Sequence, residues 1–134
     1  MKDGESLIKQ LNIVFLQIDD ELGNLTSGII FVQIRNNMIG KFGIRHDPFE
    51  TSKSTVPLQQ SHGLSELQRN ELRRLAVLSL YRKVGWTHGE IQFEFALRQG
   101  KVSMSITFES NYNMSNLLSK YGMSGWPLEE KEGA

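Results

Sequence analysis

The sequence predicts an α+β domain of two layers, in which helices cover a mostly antiparallel sheet of four to five strands. Apolar residues recur at a helical period in two segments and alternate at the period of a strand in four others. The strand-like segments form two hairpins, each closed by a short turn. Strands joined by tight turns run antiparallel, so the two main helices and a short C-terminal helix are left to pack against the sheet.

The first helix is predicted over residues 6–22. Apolar side chains recur there every three or four residues, as in a helix that buries one stripe. The stripe consists of Ile8, Leu11, Phe15, Ile18 and Leu22. Gly23-Asn24 then predicts a left-handed helix stop. The acidic run 19–21 lies in the last turn, where the helix dipole disfavours anions. It is either a solvated turn or an acidic patch for a basic partner.

Residues 28–45 predict the first hairpin. Both faces of its first strand carry apolar groups, which indicates a strand that is central or covered on both sides. Asn36-Asn37 offers the two positive-φ residues that a tight hairpin turn requires. In the return strand, Gly40 and Gly43 predict a bulge or a close packing approach.

A long polar connector, residues 46–63, follows the first hairpin. It contains two prolines, and a short edge strand around Thr55–Leu58 would provide the fifth strand. Connectors of this length are more often functional or mobile than structural. The sequence leaves open whether this one is ordered by itself.

The second helix is predicted from Ser65, a good N-cap, to about Val84. Its first half has an apolar inner face formed by Leu64, Leu67, Leu72, Leu75 and Leu78. A second apolar face appears in its later half and consists of Val77, Leu80, Tyr81 and Val84. Because a helix that is apolar nearly all round is covered on two sides, either the C-terminal segment or a partner covers this second face.

The second hairpin shows the clearest alternation in the chain. Apolar residues from Ile91 to Leu97 and from Val102 to Phe108 define its buried face, and the polar residues between them define a solvated face. Gly100 suits the left-handed position of the turn. A short helix over Met114–Lys120 follows. Residues 1–128 are thus expected to form one domain, and 129–134 a frayed acidic tail.

Composition narrows the functional classes. The 134 residues include no Cys, which excludes disulfides and thiolate metal sites and suits a cytoplasmic protein. No apolar run has the length of a membrane span, and the N-terminus does not resemble a signal peptide.

The 15 basic and 15 acidic residues balance, with an excess of five positive charges over 31–101 and of five negative charges over the two ends. This distribution indicates a dipolar protein rather than a nucleic-acid binder. A basic cluster with neighbouring aromatic residues is the feature that would favour nucleic acid, but Glu66 and Glu71 dilute it. The cluster consists of Arg69, Arg73, Arg74, Arg82 and Lys83, with Tyr81 and Trp86 nearby.

Catalytic candidates are few. His46, His62 and His88 all lie in predicted loops and lack the spacing of a helical zinc motif, so we predict neither a metal nor a cofactor. His46-Asp47, or His88 with Glu90, could supply a base and an orienting carboxylate. A small hydrolase that uses His46, Asp47 and His88 is therefore the runner-up hypothesis.

From residue 72 onward the order of motifs is similar to that of the YezG-like (EsaG-like) immunity proteins. A Leu-rich helix leads to Trp86-Thr87 and then to a hairpin containing Glu90–Phe95 and Gly100–Ile106. Lys120-Tyr121-Gly122 and a Trp126-Pro127-Leu128-Glu129 ending follow. The resemblance implies a small cytosolic antitoxin that neutralises a secreted toxin by stoichiometric binding, without catalysis.

Two surfaces are candidates for that binding. One is the second face of the second helix, with Tyr81. The other is the solvated face of the second hairpin, which carries Gln92, Glu94, Arg98, Ser103, Ser105, Thr107 and Glu109. A third hypothesis is a bacterial or phage accessory protein that acts as a homodimer joined by an open sheet edge. The sequence does not identify the toxin or its activity.

Overall fold

The computed structural model describes residues 3–48, 63–82 and 88–122. The predicted edge strand at Thr55–Leu58, His62, Trp86 and the tail from residue 123 lie outside these ranges. The described elements are α1 (Asp3–Gln17), α2 (Asp19–Leu22), β1 (Ser27–Arg35), β2 (Met38–Arg45), α3 (Glu66–Ser79), a 3-10 turn (Leu80–Arg82), β3 (His88–Arg98), β4 (Lys101–Ser110) and α4 (Met114–Tyr121).

The four strands form one antiparallel sheet in the order β2-β1-β3-β4. The predicted α+β class, both hairpins and the short C-terminal helix are therefore confirmed. β1 lies in the centre of the sheet, which explains why both of its faces carry apolar residues. The sequence could not supply the strand order, because the pairing of β1 with β3 joins segments more than fifty residues apart.

The core lies between the helices and one face of the sheet. The predicted stripe of α1 and α2 is buried there, apart from the partly buried Ile8. It packs on the apolar residues of the two central strands. At the centre, the rings of Phe15 and Phe93 meet edge to face with centroids 6.3 Å apart. Such aromatic pairs stabilise a core beyond their buried area alone.

The predicted left-handed stop after the first helix is wrong. The helix is interrupted at Ile18, and Gly23 has right-handed helical dihedrals (φ −65°, ψ −10°). The close approach at this point requires a glycine at position 63, because a Cβ on Gly63 would overlap the backbone of Gly23. Leu64 donates its N–H to the carbonyl of Leu22 at 3.3 Å and ties the start of α3 to this point.

Both predicted features of the first hairpin are present. Asn36 and Asn37 have φ values of 52° and 62°, as a primed turn requires. The β1–β2 register shifts between the Val32–Phe42 and Ile34–Ile39 pairs, so a bulge places Gly40 and Lys41 opposite a single residue of β1.

Ser65 caps α3 as predicted, and Gln68 completes a reciprocal capping box. The predicted inner face is wrong in part, because the side of α3 that enters the core consists of Leu72, Ala76 and Ser79. Leu67 is 82% exposed and Leu78 is 49% exposed.

Compared with the prediction, α3 is rotated about its axis, because two of its arginines lie against α1 and α2. Arg69 donates to Asp19 Oδ1 and to the carbonyl of Leu64, each at 2.8 Å, and Arg73 donates to Asn12 Oδ1 at 3.0 Å. Their apolar stems are covered while their charged heads keep polar partners.

Two of the four residues of the predicted second apolar face of this helix lie in the core or pack against it. Leu80 is buried and Val77 packs against the core cluster. Tyr81 of the same face is 69% exposed. Val84 lies outside the described residues.

Candidate functional site

α1 and α3 pack on one face of the sheet, and the opposite face is here called the open face. Alternate residues of the strands contribute to it. Across the two central strands they meet in register, Ile29 opposite Glu94 and Gln33 opposite Glu90. The open face consists of Ile29, Phe31, Gln33, Arg35, Met38, Gly43, Arg45, His88, Glu90, Gln92, Glu94, Ala96, Arg98, Lys101, Ser103, Ser105, Thr107 and Glu109.

Seven of the eight predicted partner-binding residues lie together on the open face. Gln92, Glu94 and Arg98 come from β3, and the strand pairing sets Ser103, Ser105, Thr107 and Glu109 of β4 beside them. Tyr81 is not among them, because the 3-10 turn that carries it belongs to the helical layer. The two candidate surfaces are therefore on opposite sides of the molecule.

Glu90 is the centre of a polar network on the open face. Gln92 Nε2 donates to its Oε2 at 2.7 Å, Gln33 Nε2 donates to its Oε1 at 3.2 Å, and Arg45 Nη1 lies 3.5 Å from Oε2. The hydrogen bond from Gln92, followed by the contributions of Gln33 and Arg45, lowers the pKa of Glu90, although burial opposes this shift. Only 14% of the Glu90 side chain is exposed, so the network fixes a charge in a partly desolvated position.

Beside the network, Phe31 and Arg45 form a stacked pair. The guanidinium carbon of Arg45 lies 4.1 Å from the centroid of the Phe31 ring, within the range of a cation–π interaction. Phe31 faces Gly43 across the strands, and a Cβ at Gly43 would lie 3.2 Å from the ring. The glycine predicted to mark a close approach thus makes room for this aromatic ring.

The sequence interpretation missed the network and the stacked pair. They depend on the neighbours of β1, which bring Gln33 to Glu90 and Arg45 to Phe31. The signal that was available is the apolar character of both faces of β1, which indicates a central strand. It does not indicate which strand lies on each side.

A depression of about 570 Å³ lies where the open face meets the β1–β2 turn. Its lining includes Arg35, Lys41, His88, Glu90 and Asn111. The predicted pair His88 and Glu90 therefore borders one depression. However, the carboxylate of Glu90 is already engaged by the network, and His88 faces Arg35 across the strands.

The three residues of the hydrolase hypothesis do not line one cleft. His46 Nε2 contacts Glu21 Oε2 at 2.7 Å, and Asp47 hydrogen-bonds to the hydroxyl of Ser27 at the start of β1. His88 pairs with Arg35 at the other end of β1. Eight residues of extended strand place these two ends about 26 Å apart.

The basic cluster of α3 is largely occupied by internal contacts. Arg69 and Arg73 contact the first helical segment, and Arg74 forms a bidentate pair with Glu71 at 2.7 and 3.1 Å. That pair lowers the pKa of Glu71 and raises the pKa of Arg74, mainly through the side-chain hydrogen bonds. Lys83 lies outside the described residues.

Within residues 3–48, 63–82 and 88–122, no group of three or more His, Asp or Glu side chains is arranged to hold a metal ion. Among the helices of these ranges, none combines the length and the apolar character needed to cross a lipid bilayer. In comparisons with known proteins, no family model, no curated protein and no solved structure matches the chain.

Proposed function

We propose that this protein is a non-catalytic immunity protein, which neutralises a cognate protein toxin by forming a stoichiometric complex through the open face. One observation carries the proposal. Seven residues predicted from the sequence as partner-binding lie side by side on that face, and one of them, Gln92, donates to the network that fixes Glu90. The toxin as partner class comes from the resemblance of residues 72–129 to YezG-like immunity proteins.

The central part of the open face has the properties of an interface centre. Strong binding sites concentrate their energy in a few well-packed residues, and arginine is enriched among them. Arg45 is held over Phe31 and beside Glu90, so binding would immobilise little additional side-chain freedom.

The β4 side of the open face is suited to form a polar rim. Ser103, Ser105 and Thr107 are exposed and short, and they can donate or accept hydrogen bonds. Glu94 and Glu109 are exposed as well. These carboxylates would attract basic groups of a toxin and make its association depend on salt concentration.

Co-expression with the protein encoded next to this gene is the direct test. Wild-type protein should restore the growth of cells that produce that neighbour as a toxin, and the two proteins should co-purify in equal amounts. Gln92→Arg and Glu94→Arg place bulk and positive charge on the open face, and each should abolish the rescue. Gln17→Arg is the matched control, because Gln17 is exposed on α1 in the helical layer.

Circular dichroism should show that all three variants are folded. Persistent growth arrest with stable wild-type protein would contradict the immunity function. If both open-face variants rescued growth and Tyr81→Ala did not, the binding site would lie on the helical layer.

A further inference from the structure

Among the described strands, β4 is a sheet edge that lacks both a bulge and a proline. It pairs with β3 over all ten of its residues without a register shift, and no other described strand pairs with it. Natural edge strands are commonly protected by a bulge, a proline or an inward-pointing charge. β2, the opposite edge, has a bulge at Gly40-Lys41, whereas β4 is regular and contains no proline.

The two charged residues near the ends of β4 are mismatched within their own chain. Lys101 lies directly opposite Arg98, and Glu109 lies directly opposite Glu90. Like charges at facing positions destabilise a strand pair. Neither Lys101 nor Glu109 forms an ion pair within the described ranges of the chain.

Lys101 of one copy of the chain and Glu109 of a second copy have opposite charges and can pair. If two β4 strands pair antiparallel about a two-fold axis normal to the sheet, facing residues must belong to the same face. With the axis at Ser105, Lys101 of each copy faces Glu109 of the other. Ser103 then faces Thr107, and Ser105 faces its own counterpart.

The helix-side residues of β4 are complementary in this register as well. Val102 would face Phe108, and Met104 would face Ile106. All four are only partly buried and pack at the margin of the core. A second copy would therefore extend an apolar row that the single chain leaves partly exposed.

We propose that two copies of this chain associate through β4, antiparallel and centred on Ser105, to form a continuous eight-stranded sheet. Backbone hydrogen bonds along the shared edge would provide the association, as in other cases of strand addition. Reciprocal Lys101–Glu109 pairs would set the register, because a shift by two residues removes both of them. This association does not depend on the proposed toxin and can be measured in its absence.

A charge-swap experiment tests the register. Light scattering should give twice the 15.3 kDa chain mass for the wild-type protein at tens of micromolar. Lys101→Glu and Glu109→Lys each place like charges at both contacts and should each weaken self-association by roughly tenfold. Each swap also replaces a like-charge pair with β3 by an opposite-charge pair, so neither should destabilise the fold.

Two combinations should restore dimers. The double variant Lys101→Glu/Glu109→Lys recovers opposite charges at each contact. An equimolar mixture of the two single variants also does so, but only between unlike copies, and it should therefore give heterodimers.

A cross-linking experiment gives a second readout. Because the chain has no cysteine, Ser105→Cys introduces a single thiol that would lie opposite its counterpart in the dimer. Mild oxidation should link this variant to completion. Ser103→Cys is the matched control, because the two copies of residue 103 would be about 13 Å apart along the strands, beyond disulfide reach.

A monomeric wild-type protein at these concentrations would overturn the proposal. A dimer that is indifferent to both charge swaps, or that cross-links equally through residues 103 and 105, would show that another surface mediates association. Failure to neutralise the neighbouring toxin would leave these measurements unchanged, so the two proposals fail separately.

Discussion

Replacing Glu90 by glutamine tests whether hydrogen bonding or burial dominates at the centre of the open face. The substitution keeps the shape of the side chain and removes its charge. Hydrogen bonds to a charged acceptor contribute roughly 1.5–3 kcal/mol, and neutral ones roughly 0.5–1.5 kcal/mol. Two amide donors contact Glu90, at 2.7 and 3.2 Å, so Glu90→Gln removes about 1 kcal/mol per bond before opposing effects.

Three other effects modify this value. The Arg45 contact at 3.5 Å involves a half-exposed arginine and adds at most about 1 kcal/mol. Burial of the Glu90 carboxylate and the facing Glu109 oppose the charge. The expected net loss in the free energy of unfolding for Glu90→Gln is therefore about 1–2 kcal/mol at neutral pH.

The pH dependence of the unfolding free energy tests whether the charged form of Glu90 stabilises the fold. The pKa of Glu90 in the folded protein lies below its ordinary value of 4.5. Its stabilising contribution is thus complete above that value and is lost as the pH falls through the lower folded pKa. Urea unfolding followed by circular dichroism should separate wild type from Glu90→Gln at neutral pH, and the difference should shrink as the pH falls through the lowered pKa of Glu90.

Glu94→Gln is the control, because Glu94 is exposed on the same face of the same strand. Its unfolding free energy should match that of the wild type at neutral pH. If Glu90→Gln were more stable than wild type at neutral pH, burial would outweigh the hydrogen bonds, and the reasoning about a fixed charge would be refuted.

Three further substitutions test the fold by urea unfolding. Gly63→Ala introduces a Cβ that overlaps the backbone of Gly23 and should cost at least about 2 kcal/mol; a near-neutral effect would contradict this close approach. Ser65→Ala removes the capping box of α3 and should cost about 1 kcal/mol, whereas Ser65→Asp should retain most of the stability. Asn37→Val forces a β-branched residue to a φ of 62° and should cost about 1–2 kcal/mol; Asn37→Gly, its control, should change stability by less than about 0.5 kcal/mol.

The sequence predicted those parts of the fold that depend on local patterns. The stripe of the first helix, the Asn36-Asn37 turn and the cap at Ser65 each follow from neighbouring residues. The rotation of α3 did not follow, because it depends on Asp19 and Asn12 lying where they can receive Arg69 and Arg73. Those contacts join residues 50 and 61 positions apart.

In the candidate site, too, local patterns could be predicted and long-range contacts could not. Alternation in the second hairpin placed Gln92, Glu94 and the β4 residues on one face without any knowledge of tertiary structure. The stacked pair of Phe31 and Arg45 and the network at Glu90 required the strand order, which no short-range pattern contains. The chemistry of histidine alone groups His46 with His88, whereas the register of β1 separates them.

The two proposals have a joint consequence for stoichiometry. A two-fold axis normal to the sheet leaves both open faces on the same side of the eight-stranded sheet, because rotation about that axis does not turn a sheet over. The two faces would then form one polar surface, on which the helical layers impose no obstruction. A dimer could bind two toxin molecules side by side, and it would bind a dimeric toxin with the advantage of two linked contacts. Light scattering of the co-purified complex should therefore give two copies of each protein, whereas the Lys101→Glu variant should give one copy of each.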